Sequence, residues 1–188
     1  MAAPKVELRA LAPDDRDRLL GWRNSPDVAA YMYTDHQISP DEHERWFAAI
    51  DGDVRRAFWV IDVDGEPAGL ANLYDIDREN SRCAWAWYLA DPSVRGRGIG
   101  GYVEYLVIEK VFGEFGLTEL WCEVLESNAR ARRLYQKFGF KEKARLRRRA
   151  LKNGVMEDSL KLGLLADAWM LIRPQMREAL AQSGFELP

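Results

Sequence analysis

Apolar residues recur along this chain with two periods, two for strands and 3.6 for helices, and the alternation between them sets out the elements. Lys5 to Leu11 alternates, with Val6, Leu8 and Ala10 on one face, and predicts a first strand. Pro13-Asp14-Asp15 places a proline in a first turn and acids at a positive helix end, so a helix follows with Leu19, Leu20 and Trp22 on its apolar side. The run from Trp22 to Pro26 ends it, and Asp27 to Met32 reads as one more short turn of helix. Ser39-Pro40-Asp41-Glu42 has the form of a capping box, with Ser39 as N-cap and Glu42 reaching back. The helix it opens carries His43, Trp46, Phe47 and Ile50.

A period-two meander comes next. Ala57 to Val63 is β-rich and stops at Asp64-Gly65, a hairpin turn; Pro67 to Tyr74 and Cys83 to Leu89 continue the meander on either side of the polar turn Asp77 to Ser81. Ile99, Tyr102, Val103, Leu106 and Val107 then recur at helical spacing as far as Phe112, with Gly116 as the stop. Leu120 to Leu125 is a buried strand. Asn128 caps a helix whose face is Ala131, Leu134, Tyr135 and Phe138, ended by Gly139. Phe140 to Ala150 and Val155 to Gly163 are two strands joined by Asn153-Gly154, the strongest hairpin signal in the chain. The tail, Asp167 to Ser183, is helical in pattern, with Pro174 as a kink or break.

Composition narrows the class. A length of 188 residues suits one domain, 1–188, with a core at about 5–165 and a helical tail at about 166–188. Apolar residues make up 47% and charged residues 30%, as in a soluble globular protein. A net charge of −3 argues against nucleic acid as a partner. Cys83 and Cys122 lie in apolar strands and read as buried free thiols. No Cys/His group has zinc-ligand spacing, so no metal is expected. The N-terminal residues lack the apolar core of a signal peptide and no run is long enough to span a bilayer, so a cytoplasmic protein with no membrane partner is expected. A homodimer is left open as the assembly.

The chemistry centres on Arg95-Gly96-Arg97-Gly98-Ile99-Gly100, followed by Gly101. Glycines there remove β-carbons between a strand and a helix, and the helix start directs N–H groups and its positive dipole end at one spot. That is an anion site, suited to phosphate; the plainer alternative is a tight glycine turn. A Walker loop is excluded because Gly98 is followed by Ile99-Gly100, not by Lys-Ser/Thr. The spacing Gly96-x-Gly98-x-x-Gly101 matches a dinucleotide fingerprint but sits mid-chain after several hairpin strands, not in an opening βαβ unit.

The order of elements, Arg95-x-x-Gly98-x-Gly100, and Asn128-Ala-x-Ala-x-x-Leu134-Tyr135-x-x-x-Gly139-Phe140 together resemble the GNAT superfamily of N-acetyltransferases over roughly residues 5 to 165. The resemblance implies an α/β fold with a mixed, mostly antiparallel central sheet and flanking helices, splayed between the strand ending at Leu89 and the strand at Leu120 to hold acetyl-CoA as co-substrate. It implies that Arg95, Gly96, Arg97, Gly98, Ile99, Gly100 and Gly101 bind the pyrophosphate. The backbones of Tyr88, Leu89 and Ala90 would pair with the pantetheine arm, a strand N–H near Leu89 or Ala90 would serve the oxyanion, and Asn128 would add a CoA contact. Arg95 stands where many members carry Gln. Tyr135 becomes the acid for the leaving thiolate; without the resemblance it reads as a core aromatic. Glu123, a carboxylate inside an apolar strand, is either the acceptor of the amine proton or an outward-facing strand residue.

Within the family, Trp22-Arg23-Asn24, Val28, Tyr31-Met32 and Ile38-Ser39-x-x-Glu42-His43-x-x-Trp46-Phe47 resemble the UDP-amino-sugar acetyltransferases of pseudaminic acid synthesis, whose product decorates flagellin. That branch implies a nucleotide-sugar amine as substrate, acetylated at a 4-amino group, with Arg23 and His43 on the nucleotide. Ribosomal-protein, N-terminal and polyamine acetyltransferases share the Trp-Arg-Asn start, and a non-catalytic acetyl-CoA sensor is a third class. The seven basic residues from Lys141 to Lys152 read as a solvated strand face or as a guide for an anionic substrate.

Overall fold

The computed structural model describes residues 3–187. The strands are β1 (Val6–Ala10), β2 (Ala57–Val63), β3 (Glu66–Asp77), β4 (Arg82–Leu89), β5 (Glu119–Leu125), β6 (Lys141–Lys152) and β7 (Val155–Leu165). The helices are α1 (Arg16–Asn24), α2 (Pro26–Ala29), α3 (Pro40–Ile50), α4 (Ile99–Glu109), α5 (Ala129–Lys137) and α6 (Ala166–Gln182). One sheet forms, in the order β1-β2-β3-β4-β5-β7-β6. Every neighbouring pair is antiparallel except β4 and β5, which run parallel. The expected α/β fold with a mixed, mostly antiparallel sheet is therefore present.

The hairpins follow from their dipeptides. Asp64-Gly65 and Asn153-Gly154 hold φ values of 54° and 88°, and 50° and 77°. Both central residues are left-handed in each turn, the twist that matches flanking strands. The opening of α1 is fixed by Asp15, a buried carboxylate on the preceding tight turn. It accepts both ends of the Arg9 guanidinium at 2.7 and 2.8 Å and the Ala12 N–H at 3.0 Å. The Arg9 guanidinium holds its carboxyl below the usual range.

Three local expectations change. Ser39 caps α3 by accepting from the Glu42 N–H at 3.2 Å, but Glu42 does not reach back. Its carboxylate takes His36 Nε2 at 3.0 Å instead, so only half of the capping box is made. Pro174 neither breaks nor ends α6, which continues through it. The carbonyl freed by its missing N–H is that of Met170, on a stretch where Met170 and Leu171 are exposed and the lost bond costs least. The helix predicted to Phe112 instead widens into a π turn at Lys110–Glu114 before Gly116.

The core lies between the sheet and α4, α5 and α6. Trp85 stacks on Phe140 (6.0 Å) and meets Tyr135 edge-on (5.7 Å), while Trp169 of α6 stacks on Phe138 (6.1 Å). Trp169 also donates its indole N–H to Glu109 of α4 at 2.8 Å, which satisfies the polar edge of a buried ring. Among these apolar groups α4 places one acid, Glu104, at 0% exposure with neither carboxylate oxygen hydrogen-bonded. Burial pushes its carboxyl far above the ordinary value, so it is held as the neutral acid.

Glu104 sets a pH dependence. Unfolding releases a proton from it at any pH above its ordinary value and below its raised one. Stability therefore falls as pH rises through that window, by up to about 1.4 kcal/mol per pH unit for one proton. Glu104→Gln keeps the shape and removes the titration. The variant is expected to melt higher than the parent at neutral pH, with a difference that grows toward alkaline pH and vanishes near pH 4. Parallel melting temperatures across that range would show that Glu104 is not held neutral.

Candidate active site

The site begins where the sheet comes apart. Parallel pairing of β4 with β5 covers only Arg82↔Glu119, Cys83↔Leu120 and Ala84↔Trp121. Beyond those pairs the strands diverge, and the expected splay lies between Trp85–Leu89 and Cys122–Leu125. Antiparallel strands direct alternate residues' N–H and C=O groups to opposite neighbours. Ala90 donates to Ala68 O at 2.8 Å, and in that register Tyr88 also faces β3. Trp87 and Leu89 therefore turn their backbone groups into the gap. This corrects two expectations: the Ala90 N–H and, by register, the Tyr88 N–H are spent on β3, so neither is free to donate to an oxyanion or to pair with a pantetheine arm. Leu89 and Trp87 are the β4 residues whose N–H groups face the gap. The omission was one of phase, since a strand's hydrogen-bonding edge cannot be read from side-chain alternation.

The glycine loop fills the turn from β4 to α4. Gly96 and Gly98 have φ of 81° and 79°, left-handed conformations that a side chain resists. Gly98 is the N-cap of α4, and no side chain caps that end. The N–H groups of Ile99 and Gly100, which open α4, have no carbonyl of their own helix to bond, whereas the Gly101 N–H is taken by Gly98 O at 3.1 Å. Arg95 and Arg97 contribute here by backbone; their guanidinium groups bond elsewhere. Arg95 donates to Asp27 at 2.8 Å and to Leu89 O at 3.2 Å, and Arg97 to Asp64 at 3.0 Å. These arms fix the loop to α2 and to the β2–β3 turn. Asn128 caps α5 by accepting from the Ala131 N–H at 3.1 Å, its structural role. The tail reinforces the loop from behind: Phe185 stacks on Tyr102 at 4.6 Å, and a β-carbon on Gly98 would lie 3.2 Å from the Phe185 ring.

The two faces of the gap differ in chemistry. On the α4–α5 face lie Tyr135 and Cys122, with Glu104 close enough to push both hydroxyl and thiol upward, although burial is the larger cause for each. Both cysteines are free and buried, as expected. On the opposite face β5 presents Glu123, whose side chain is 14% exposed. Its Oε2 accepts from the Tyr33 hydroxyl at 2.8 Å and from Arg149 Nε at 3.1 Å. Arg149 also lies over the Tyr33 ring at 5.6 Å, and Lys161 over the Trp121 ring at 3.8 Å. Burial raises the Tyr33 hydroxyl to about 12, so it stays a donor to Glu123. Tyr33, Trp121 and Arg149 were not singled out from the sequence. Tyr33 was legible only as a loop aromatic, and nothing short of the fold places Arg149 opposite Glu123.

Arg23 lies beside the gap with a weak 3.4 Å contact to Thr34 Oγ1, and its charge opposes the burial of the neighbouring Tyr88 hydroxyl. His43 is not at the site. It is 4% exposed, stacks on Trp46 at 5.3 Å and has its Nε2 on the Arg16 carbonyl at 2.7 Å, so it locks α3 to α1. Its expected reach to a substrate is corrected: the ring nitrogen is spent inside the helix interface. The basic run is β6, and several of its cations are paired: Arg145 with Glu126, Arg149 with Glu123 and Lys152 with Asp35. Among the described residues no group of three or more His, Cys, Asp or Glu is placed to hold a metal, and no helix is long and apolar enough to cross a membrane.

Known proteins resemble this chain in sequence and in fold. Residues 5–141 fit the model of the acetyltransferase (GNAT) domain. The chain belongs to the GNAT family. It is accordingly an acyltransferase, and the loop and gap suit acetyl-CoA as co-substrate: an uncapped helix end for phosphates and strand edges for the amide-bearing arm. Spermidine N(1)-acetyltransferase of Escherichia coli K12 is 24% identical over 162 residues, 86% of each chain. The acetyltransferase PseH of Campylobacter jejuni is 26% identical over 119 residues, 63% of this chain and 72% of that one. The crystal structure of spermidine N-acetyltransferase from Vibrio cholerae, in complex with CoA and spermine, superposes with a TM-score of 0.82 at 21% identity, covering 88% of this chain and 98% of that one.

These relatives correct the expected acceptor. A nucleotide sugar of the pseudaminic acid and flagellin pathway was expected from residues 22–47. The spermidine enzyme matches this GNAT chain over far more of its length than PseH does, and solved spermidine enzymes match its fold. The local motif misled because much of it builds the α1–α3 interface, as His43 does, and packing motifs are shared between branches.

Gly98→Ala tests the loop. The left-handed backbone and the Phe185 ring make the substitution cost about 1–2 kcal/mol, a few degrees in melting temperature for a chain of this size. Acetyl-CoA affinity by calorimetry should fall at least about tenfold, beyond what that strain explains. Unchanged affinity in the folded variant would remove the loop from the site.

Proposed function

We propose that this enzyme moves the acetyl group of acetyl-CoA to a primary amine of a linear polyamine such as spermidine. The observation that carries the reading is the acceptor face of the gap. Glu123, Tyr33 and Trp121 offer a carboxylate and two ring faces, and each ring already has a cation over it. Carboxylates and aromatic faces are the groups that recognise ammonium. The spermidine and spermine relatives support the same acceptor class.

The residues divide the chemistry as follows. The α4 N-terminus and the backbone of Gly96 to Gly101 hold the pyrophosphate. Leu89 and Trp87 present strand edges to the pantetheine, and the Leu89 N–H serves as the donor to the oxyanion. Glu123 accepts the proton of the attacking ammonium, directly or through a water, and so releases the neutral nucleophile. Tyr135 gives its hydroxyl proton to the leaving thiolate. Burial raises the Tyr135 hydroxyl well above 10. The same dry surroundings raise a thiol, as they do Cys122, so the gap between phenol and thiol is not widened by burial alone.

The deciding measurement is CoA release with spermidine, spermine, a peptide amine and a UDP-amino sugar. Turnover is expected with the polyamines, and turnover confined to the sugar or the peptide would overturn the proposal. Tyr135→Phe keeps the ring and is expected to lower kcat about 10²-fold with a near-parental melting temperature, the low end for acid catalysis because a thiolate leaves partly unaided. Single-turnover chemistry at the parental rate would return Tyr135 to the core.

A further inference from the structure

We propose that Arg149 is a built-in occupant of the acceptor site, and that an acceptor binds by exchanging its ammonium for the Arg149 guanidinium. The proposal rests on the reading above only in taking the acceptor to be a cation. Arg149 sits where such a group belongs, 3.1 Å from Glu123 Oε2 and 5.6 Å from the centre of the Tyr33 ring. The two sides of this contact differ in freedom. The Arg149 side chain is 50% exposed, whereas that of Glu123 is 14% exposed. The guanidinium can swing to solvent; the carboxylate cannot, and without a cation it would be left half-paired beneath Tyr33.

The backbone supplies an independent observation. In the β6–β7 ladder Leu146 pairs with Ser159 and Ala150 with Glu157, so Arg147, Arg148 and Arg149 bulge opposite Asp158 alone. Arg148 adopts a φ of 51°, costly for a side chain of its size, and its N–H is taken by Asp158 at 2.8 Å. Bulges re-aim side chains beside active sites, and this one directs Arg149 across β7 to β5. A regular ladder continued from Leu146 and Ser159 would pair Arg149 with Met156, on the face of the sheet away from Glu123. The strain is thus spent on delivering a cation to Glu123.

The rest of the pocket stays when Arg149 leaves. Lys152, 7% exposed, donates to Ala29 O at 3.1 Å and Thr34 O at 3.0 Å and pairs with Asp35 at 3.2 Å. Asn153 N–H holds the other Asp35 oxygen at 3.1 Å. These bonds pin the loop that carries Tyr33, so the ring and carboxylate remain in place for the incoming ammonium. Arg149 then raises the threshold for binding and excludes neutral acceptors, which have nothing to offer Glu123 in exchange.

The test is Arg149→Ala in the full chain, with melting temperature as control. Calorimetry with methylguanidinium should detect saturable binding to the variant and none to the parent, and adding Glu123→Gln should abolish it. The apparent KM for spermidine should fall about two- to fivefold, the strength of a half-exposed ion pair, while acetyl-CoA affinity is unchanged. Absence of methylguanidinium binding, or a spermidine KM that stays level or rises, would overturn the exchange. If the parent enzyme acetylates no polyamine, the acceptor reading fails, and the methylguanidinium result still decides whether Arg149 fills a cation site.

Discussion

The fold depends on one seam that is not fully closed. A sheet normally pairs every strand with its neighbours, because unpaired backbone groups in an interior are costly. Here the parallel junction, β4 against β5, stops after Ala84 and Trp121, leaving a gap in the middle of the sheet. Trp85, Tyr135 and Phe140 pack beneath its vertex and hold the strands apart. Everything chemical follows from that opening. It exposes two strand edges that can act as hydrogen-bonding partners, admits a narrow arm between them, and joins two faces of the sheet that would otherwise never communicate.

Those faces are built to opposite specifications. The face beneath α4 and α5 is dry, so its hydroxyl, thiol and carboxyl groups all remain protonated. The other face is wetter and carries charge: Glu123, Arg149 and Lys161 beside the rings of Tyr33 and Trp121. A group-transfer enzyme needs this asymmetry, since the leaving group must gain a proton on one side while the nucleophile loses one on the other. The anchoring arms of Arg95 and Arg97 show the same economy: their charges tie the glycine loop to the scaffold and leave its backbone uncovered by them.

Much of this was legible in the chain. Hairpins announced by Asp64-Gly65 and Asn153-Gly154, the caps at Ser39 and Asn128, and the glycines at 96 and 98 were readable because each is a local conformational requirement. What was not legible depends on register or on distant neighbours. Which β4 residues turn their N–H groups to the gap is set by pairing with β3, so Ala90 and Leu89 could not be told apart. Whether His43 faces a ligand or a helix depends on where α1 packs. Glu104 looks like an ordinary polar helix position until α4 is found to be buried nearly all round. The acceptor branch was misjudged for a related reason: the motif that suggested it holds helices together as well as lining a site.

The edge strand β6 has one more consequence, for how copies of the chain meet. A free strand edge offers unpaired N–H and C=O groups to any other strand, and is a common start of aggregation. β6 ends the sheet, and it carries seven Lys and Arg residues together with register breaks after Glu142 and Leu146. The breaks bend the edge out of line, and like charges repel a second β6 laid against it. The strand that reaches inward to the site is, on its outer side, the one least able to template a fibril.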